Sequence, residues 1–210
     1  MPNVSRETPP EGVLTHYFPA HVNEITGYAE LLLTAGIERG LIGPREAPRI
    51  WSRHILNSLL LTPFIPDGAS VIDIGSGAGL PGIPLALARP DLQVTLLEPL
   101  QRRIDFLEEV KIESGLDITI IRGRAEETKG AYQVVTARAL SATEKLLPQI
   151  WHLIAPGGAL VALKGSSVEG EVRQAEKVIS RLKPDTVAIE EPYLEGIESG
   201  KILIVRKGAQ

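Results

Sequence analysis

The run from Ser70 to Gly82, SVIDIGSGAGLPG, restricts the fold more than any other part of the chain. Val71, Ile72 and Ile74 form a short apolar run with the look of a buried central strand. Gly75, Gly77 and Gly79 follow at alternate positions, and Pro81 and Gly82 lead into the helix-like IPLALARP. A strand that empties through glycines into a helix leaves bare backbone N–H groups at a helix N-terminus, where a ligand can lie against the main chain. Asp73 sits inside the strand, two residues before the first glycine. A carboxylate buried there needs hydrogen bonds from the loop that follows.

The rest of the chain alternates around this run. Strand 71–75 and helix 81–88 are followed by strand 92–98 and an amphipathic helix 100–114 with Gly115 as its cap. Strands at 117–123 and 131–139, a helix at 142–154, a strand at 158–165 and a helix at 169–182 continue the pattern. This is an α/β chain with a parallel sheet and helices on both faces. The runs 186–194 and 201–207 are joined by EGIESG, too short for a crossover helix, so they predict an antiparallel hairpin at the C-terminus. Upstream, residues 1–12 read as disordered, with paired prolines at Pro9 and Pro10. Helices are expected from about 18 to 37 and from Pro48 to about 61. The expected organisation is a tail and helical lid over 1–66 and one globular unit over 67–210.

Composition narrows the chemistry. The chain has no cysteine, which excludes a cysteine nucleophile, a thiolate zinc site and a Cys-ligated cluster. Its four histidines show no HExxH spacing, so no metal site is expected. A net charge of −4 argues against a dedicated nucleic-acid scaffold but leaves room for an enzyme with a local basic patch. No apolar run approaches a membrane span and MPNVSRETPPEG lacks the apolar core of a signal peptide, so a cytoplasmic location is expected.

Gly77-Ala78-Gly79-Leu80-Pro81-Gly82 matches G-x-G-x-x-G, which alone suggests a dinucleotide or merely a tight turn. Three features shift the reading. Asp73 extends the motif to D-x-G-x-G-x-G. Glu98 stands at the end of the next strand, where a carboxylate can accept from both ribose hydroxyls or simply be a solvated strand end. The terminal hairpin replaces the second half of a dinucleotide fold and disfavours an NAD oxidoreductase. Together these features resemble the class I S-adenosylmethionine-dependent methyltransferases, whose Rossmann-like sheet carries such a hairpin. In that family the first loop, here Gly75 and Gly77, approaches the methionine end and the second acidic residue holds the ribose. The motif Gly123-Arg124-Ala125-Glu126-Glu127 falls where the family reads adenine. Taken alone, Glu126 and Glu127 are ordinary helix N-terminal charge.

A closer resemblance lies in RHILNSLLL (53–61), DIGSGAGLPGIPLA (73–86), LLEPLQRRIDFLEE (96–109), RGRAEE (122–127), ARA (137–139) and ALKG (162–165). These segments are similar to the bacterial small-subunit rRNA guanine-N7 methyltransferase G family (RsmG, once called glucose-inhibited division protein B). The similarity spans about 45 to 207. It implies S-adenosylmethionine as cofactor and methyl transfer to N7 of a guanosine in the 530 loop of 16S rRNA. It carries cofactor contacts to Gly75, Leu80, Ala125, Glu126 and Arg138. The chain departs from the family at Asn57, where many members have Asp, and at Gly40-Leu41-Ile42-Gly43, where they read Asn-Leu-Thr.

The residues suit such chemistry. The absence of cysteine rules out covalent C5-pyrimidine methylation. Strand four ends in Thr136-Ala137-Arg138-Ala139, not in the Asp/Asn-Pro-Pro-aromatic loop of amine methyltransferases. Guanine N7 carries a free lone pair and no proton, so no general base is required and no catalytic side chain is assigned. Asp73 is a candidate to face the positive charge of the product. Arg53, His54, Arg138 and Lys164 are candidate RNA contacts by position. Arg53 alone reads equally as a solvated helix face and His54 as a packed core residue. Arg102 and Arg103 read as helix surface. Aromatic residues make up only 4% of the chain, which disfavours broad base-stacking platforms. The expected partner is 16S rRNA or the small subunit, bound by a monomer. Rival readings are a methyltransferase of a small molecule or protein, and a non-catalytic RNA- or nucleotide-binding module.

Overall fold

The computed structural model describes residues 7–138 and 141–209. Five parallel strands, β1 (Ser70–Ile74), β2 (Gln93–Glu98), β3 (Thr119–Arg122), β4 (Tyr132–Arg138) and β5 (Ile154–Lys164), are joined in one sheet by β6 (Thr186–Glu190) and β7 (Lys201–Arg206). The spatial order is β3-β2-β1-β4-β5-β7-β6, with β7 antiparallel to both neighbours. The predicted alternation and terminal hairpin are present. Burial explains why the last strand slots inside the sheet. Ile202, Leu203, Ile204 and Val205 of β7 are all buried, so both faces need cover. β6 is half-buried with exposed ends, and so tolerates the edge.

One face of the sheet is covered by α3 (Gly82–Ala88), α4 (Gln101–Ser114) and the N-terminal helices α1 (Val13–Tyr17) and α2 (Val22–Leu31). The other carries α5 (Thr143–Ile150), α6 (Val168–Gln174) and α7 (Glu176–Leu182). Alternation along β1 sends Val71 to the first core and Ile72 and Ile74 to the second. Asp73 therefore shares the face of Val71, beneath the N-terminal helices. Phe18, Ile25, Tyr28 and Leu32 are buried in the same continuous core as Val71, Leu85 and Leu107.

Several boundaries differ from the sequence reading, each for a tertiary reason. The helix expected over 18–37 is α2 followed by a wide π turn, Leu32–Gly36. The one expected from Pro48 is a 3-10 turn (Pro44–Arg49), a π-helical segment (Ile50–Leu56) and a second 3-10 turn (Leu59–Phe64). Its predicted apolar face, Trp51, Ile55, Leu59 and Leu60, is buried as expected. β5 begins four residues early, running through Pro156-Gly157-Gly158, with Gly157 at φ 75° where its register against β4 shifts. The helix expected over 169–182 is broken at Ala175 into α6 and α7. α4 ends at Gly115 with φ 65°, the left-handed cap its sequence called for.

At the N-terminus, residues 1–6 and Ala139 of the ARA motif lie outside the described residues. From Glu7 onward the chain is anchored, which the polar composition of 1–12 did not lead one to expect. The Glu7 carboxylate accepts hydrogen bonds from the Trp51 and Ser52 N–H groups at 2.7 and 3.1 Å. It supplies the acceptors that the first turn of the segment 50–56 lacks, and a carboxylate at a helix start also suits the local dipole.

Candidate functional site

The loop after β1 is held from both sides. Gly75, Gly77 and Gly79 have φ of 64°, 60° and 95°, values that side chains resist. The N–H groups of Gly75 and Ser76 donate to the Leu97 carbonyl of β2. The buried Tyr28 hydroxyl of α2 donates to the Ala78 carbonyl at 2.7 Å. Sequence periodicity marked Tyr28 only as part of an apolar helix face; its polar end is one of the devices that shape the loop.

Glu98 at the end of β2 is fully buried. It accepts from the Gly77 N–H (3.0 Å), the Leu100 N–H (3.0 Å) and the Arg103 guanidinium (3.2 Å). These take three of the roughly four acceptor positions of a carboxylate. Arg102 is exposed as expected, but Arg103 is not simple helix surface. It is half-buried and neutralises Glu98, because α4 starts immediately after that carboxylate and its first turn crosses over it.

Asp73 is also fully buried. Its Oδ2 accepts from the Gly82 N–H at 3.1 Å, the loop-to-strand hydrogen bond that the sequence demanded. Its Oδ1 has no protein partner, nor does Oγ1 of Thr136, which sits beside it on β4. Burial pushes the Asp73 carboxyl up to about 7, against the opposing pull of the Gly82 and Ser76 hydrogen bonds and the charge of Arg138. A folded-state value above the unfolded one means that the native protein holds this proton more tightly. Its contribution to stability is therefore full below the unfolded value of about 4 and is lost as pH rises through about 7. Asp73→Asn, which keeps an acceptor for Gly82, is expected to melt close to wild type at low pH. Toward pH 8 it gains steadily on wild type in ligand-free protein. Parallel melting curves across that range would refute this account of Asp73.

Of the hollows that open at the carboxyl ends of the strands, two meet beside the loop after β1. A smaller one, about 240 Å³, is lined by Ile74, Gly75, Leu97, Pro99, Ala125 and Leu146, with Glu126 and Lys145 at its rim. A larger cleft, about 580 Å³, is lined by Glu46, Arg53, His54, Asn57, Arg138, Lys164 and Glu171 among others. Ser141 lines both, so the two meet at the end of β4.

The predicted residues thus separate into three groups. Gly75, Ala125 and Glu126 come together in the smaller hollow. Arg53, His54, Arg138 and Lys164 come together in the cleft. Gly77, Leu80 and Glu98 line neither; Leu80 is buried in the core and Glu98 is occupied with the loop. The cleft also brings in Glu46 and Glu171, which sequence reasoning did not single out. Lys164 donates to Glu171 at 2.9 Å, and Thr143 donates to the same carboxylate oxygen. Burial pushes the Glu171 carboxyl up, but these hydrogen bonds outweigh it and leave it below its ordinary value. Glu46 meets His54 and Arg53 from a 3-10 turn that carries no motif of its own. Among the described residues no group of His, Asp or Glu is arranged to hold a metal, and no helix is long and apolar enough to cross a membrane.

The smaller hollow, with an apolar lining and Glu126 at its rim, suits a nucleoside. Asp73 offers a buried, partnerless carboxylate oxygen under the same loop, which suits a cationic group. A ligand with an adenosyl half and a cationic half fits this combination.

Solved structures share the fold. A putative S-adenosyl-L-methionine-dependent methyltransferase from Methanococcus maripaludis aligns over 88% of this chain and 92% of its own, with TM-score 0.60 and 15% identity. TYW2 from M. jannaschii, solved in complex with AdoMet, aligns over 74% of this chain and 76% of its own, with TM-score 0.57 and 15% identity. The architecture is therefore that of the class I methyltransferases. In sequence, a protein named ribosomal RNA small subunit methyltransferase G from Kineococcus radiotolerans is 48% identical over 188 residues, 86% of this chain and 74% of the relative. One of the same name from Corynebacterium jeikeium is 52% identical over 176 residues, 78% of this chain and 79% of the relative. The family model described as rRNA small subunit methyltransferase G matches residues 21–192, and the chain belongs to that family.

Proposed function

We propose that this protein transfers a methyl group from S-adenosylmethionine to N7 of a guanosine in the 530 loop of 16S rRNA. The observation that carries the reading is the meeting of the two hollows at Ser141. A slot suited to an adenosyl group there opens onto a polar cleft large enough for a nucleobase. When bound, the cofactor supplies a methyl group on a positively charged sulfur.

The chain's own residues do the rest by holding and aligning. Gly75 and Ala125 bring the main chain against the adenosyl half, with Glu126 at the rim to accept from an exocyclic amine. Gly77 and Leu80 set the loop, and Glu98 fixes it through the Gly77 N–H, so its contribution to the ribose is exercised from beneath the loop. Asp73 places negative charge near the cationic half. On the cleft side, Arg53, Arg138 and Lys164 offer N–H donors to phosphate oxygens or to guanine O6, the acceptor beside N7. Guanine N7 has nothing to lose before it attacks, so the cleft needs no base. Proximity and alignment supply the acceleration.

Mass spectrometry of 16S rRNA from cells lacking this protein, with and without a plasmid-borne copy, tests the assignment. The expected result is loss of one N7-methylguanosine and its return on complementation. Retention of every N7-methylguanosine in the deletion strain would overturn it.

A further inference from the structure

Glu46 and His54 of the N-terminal segment and Arg138 of β4 form a chain of hydrogen bonds along the cleft. Arg138, the last residue of β4, donates through Nη2 to Nδ1 of His54 at 2.5 Å and through Nη1 to the Arg53 carbonyl at 3.4 Å. The other ring nitrogen of His54, Nε2, lies 2.8 Å from the Glu46 carboxylate. His54 is almost fully buried, at 8% exposure, so these partners and not water decide its protonation.

The chemistry of the groups fixes the tautomer. A guanidinium only donates, so Nδ1 must present its lone pair. A neutral imidazole then carries its proton on Nε2, aimed at a carboxylate that only accepts. Each end of the ring enforces the same assignment. We propose that His54 and Glu46 are positioning residues, a relay by which the N-terminal segment holds the Arg138 guanidinium in place beside the junction of the two hollows. This rests on the reading of the cleft as the methyl-transfer site. It assigns His54 a role in orienting Arg138, in place of a direct contact with RNA.

A guanidinium carries five N–H donors, and the two bonds above leave the others for the cleft that Arg138 lines. Without its anchor, the long side chain regains its rotamers, and the donors lose the fixed direction that alignment requires. The relay also has a defined failure point. Protonation of Nδ1 sets a second N–H against the guanidinium and breaks the bond. The charged groups facing the ring are Arg138 from β4, Glu46 from the 3-10 turn before it and Arg53 from its own segment. Lys164, at the end of the adjacent strand β5, also lines the cleft and is paired with Glu171. Burial, then the charge of Arg138, holds the His54 ring below the ordinary histidine range, against the opposing pull of Glu46. At neutral pH the relay is therefore intact.

The test is methyl transfer to small-subunit rRNA by the full-length protein, with S-adenosylhomocysteine binding measured by calorimetry. His54→Ala and Glu46→Ala are each expected to lower kcat/KM by about tenfold, the value of one charge-assisted hydrogen bond. The double variant is expected to fall no further than His54→Ala, because both act through one chain. His54→Asn keeps an acceptor where Nδ1 stood and is expected to recover most of the loss. Its pH profile should also lose the part of the acid limb that His54 contributes below the ordinary histidine range, leaving the part due to Asp73. Glu46→Gln still accepts from Nε2–H and serves as the conservative control if an alanine variant folds poorly. Additive losses, or an acid limb unchanged in His54→Asn, would overturn the relay. Wild-type protein that neither methylates rRNA nor binds S-adenosylhomocysteine would instead overturn the functional reading beneath it.

Discussion

Arg138→Ala is expected to lose at least about 100-fold in rRNA methylation while the protein remains folded, because it removes donors that the proposed mechanism uses at the reacting end of the site. Arg138 lines the cleft, ends the strand that leads to its junction with the smaller hollow and is tied to the N-terminal segment. Burial lowers its pKa from the ordinary guanidinium value, which marks a charge held partly out of water. Asp73 and Tyr28 act on it electrostatically from below the loop. The structural cost is modest. His54 Nδ1 loses one donor, and water from the open cleft can replace it, so about 1 kcal/mol is expected. In a chain of this length that lowers the thermal midpoint by roughly 2–4 °C. Activity and melting should therefore separate cleanly. Near-normal methylation by a folded Arg138→Ala would show that the site has been misplaced.

Gly82→Ala should damage the fold itself. Its backbone is ordinary, so strain in φ is not the reason. A Cβ there would stand 2.2 Å from Leu96 Cδ2 and 2.9 Å from Asp73 Oδ2. Both neighbours are fully buried, so neither can step aside. The start of α3 would have to lift from the sheet and lengthen the Gly82–Asp73 hydrogen bond. Overpacking of this kind costs about 3 kcal/mol, or a thermal midpoint lower by roughly 6–12 °C. Gly27→Ala is the control: its Cβ meets nothing within 4 Å in the interior of α2. There the substitution should stabilise by about 0.5–1 kcal/mol. Equal melting temperatures for the two variants would refute the close approach at Gly82. Loss of cofactor binding by Gly82→Ala is expected to accompany its loss of stability, since the same helix start shapes the loop.

Much of this was visible in the residues alone. The motif D-x-G-x-G-x-G required Asp73 to bond the start of the following helix, and it bonds Gly82. The alternation of short apolar runs with amphipathic stretches gave the order of strands and helices. A link of six residues forced β6 and β7 to be antiparallel. The relation of Glu98 to the loop was half legible. Its place at the end of β2 could be read, whereas its burial and its pairing with Arg103 could not. Glu46 and Glu171 carried no signal at all, since an isolated glutamate in a polar stretch looks the same whether it faces solvent or a cation.

Sequence by itself determined what neighbours along the chain can settle: glycines at positive φ, the cap on α4, the period of each element and the kinship to a family. Those depend on contacts within a few residues, where covalent geometry fixes the distances. Tertiary structure alone decided that residues 46, 54 and 138 form one hydrogen-bonded chain, that β7 enters between β5 and β6, and that the two hollows open into each other. Such meetings depend on how buried faces pack, and packing is set by the whole core at once.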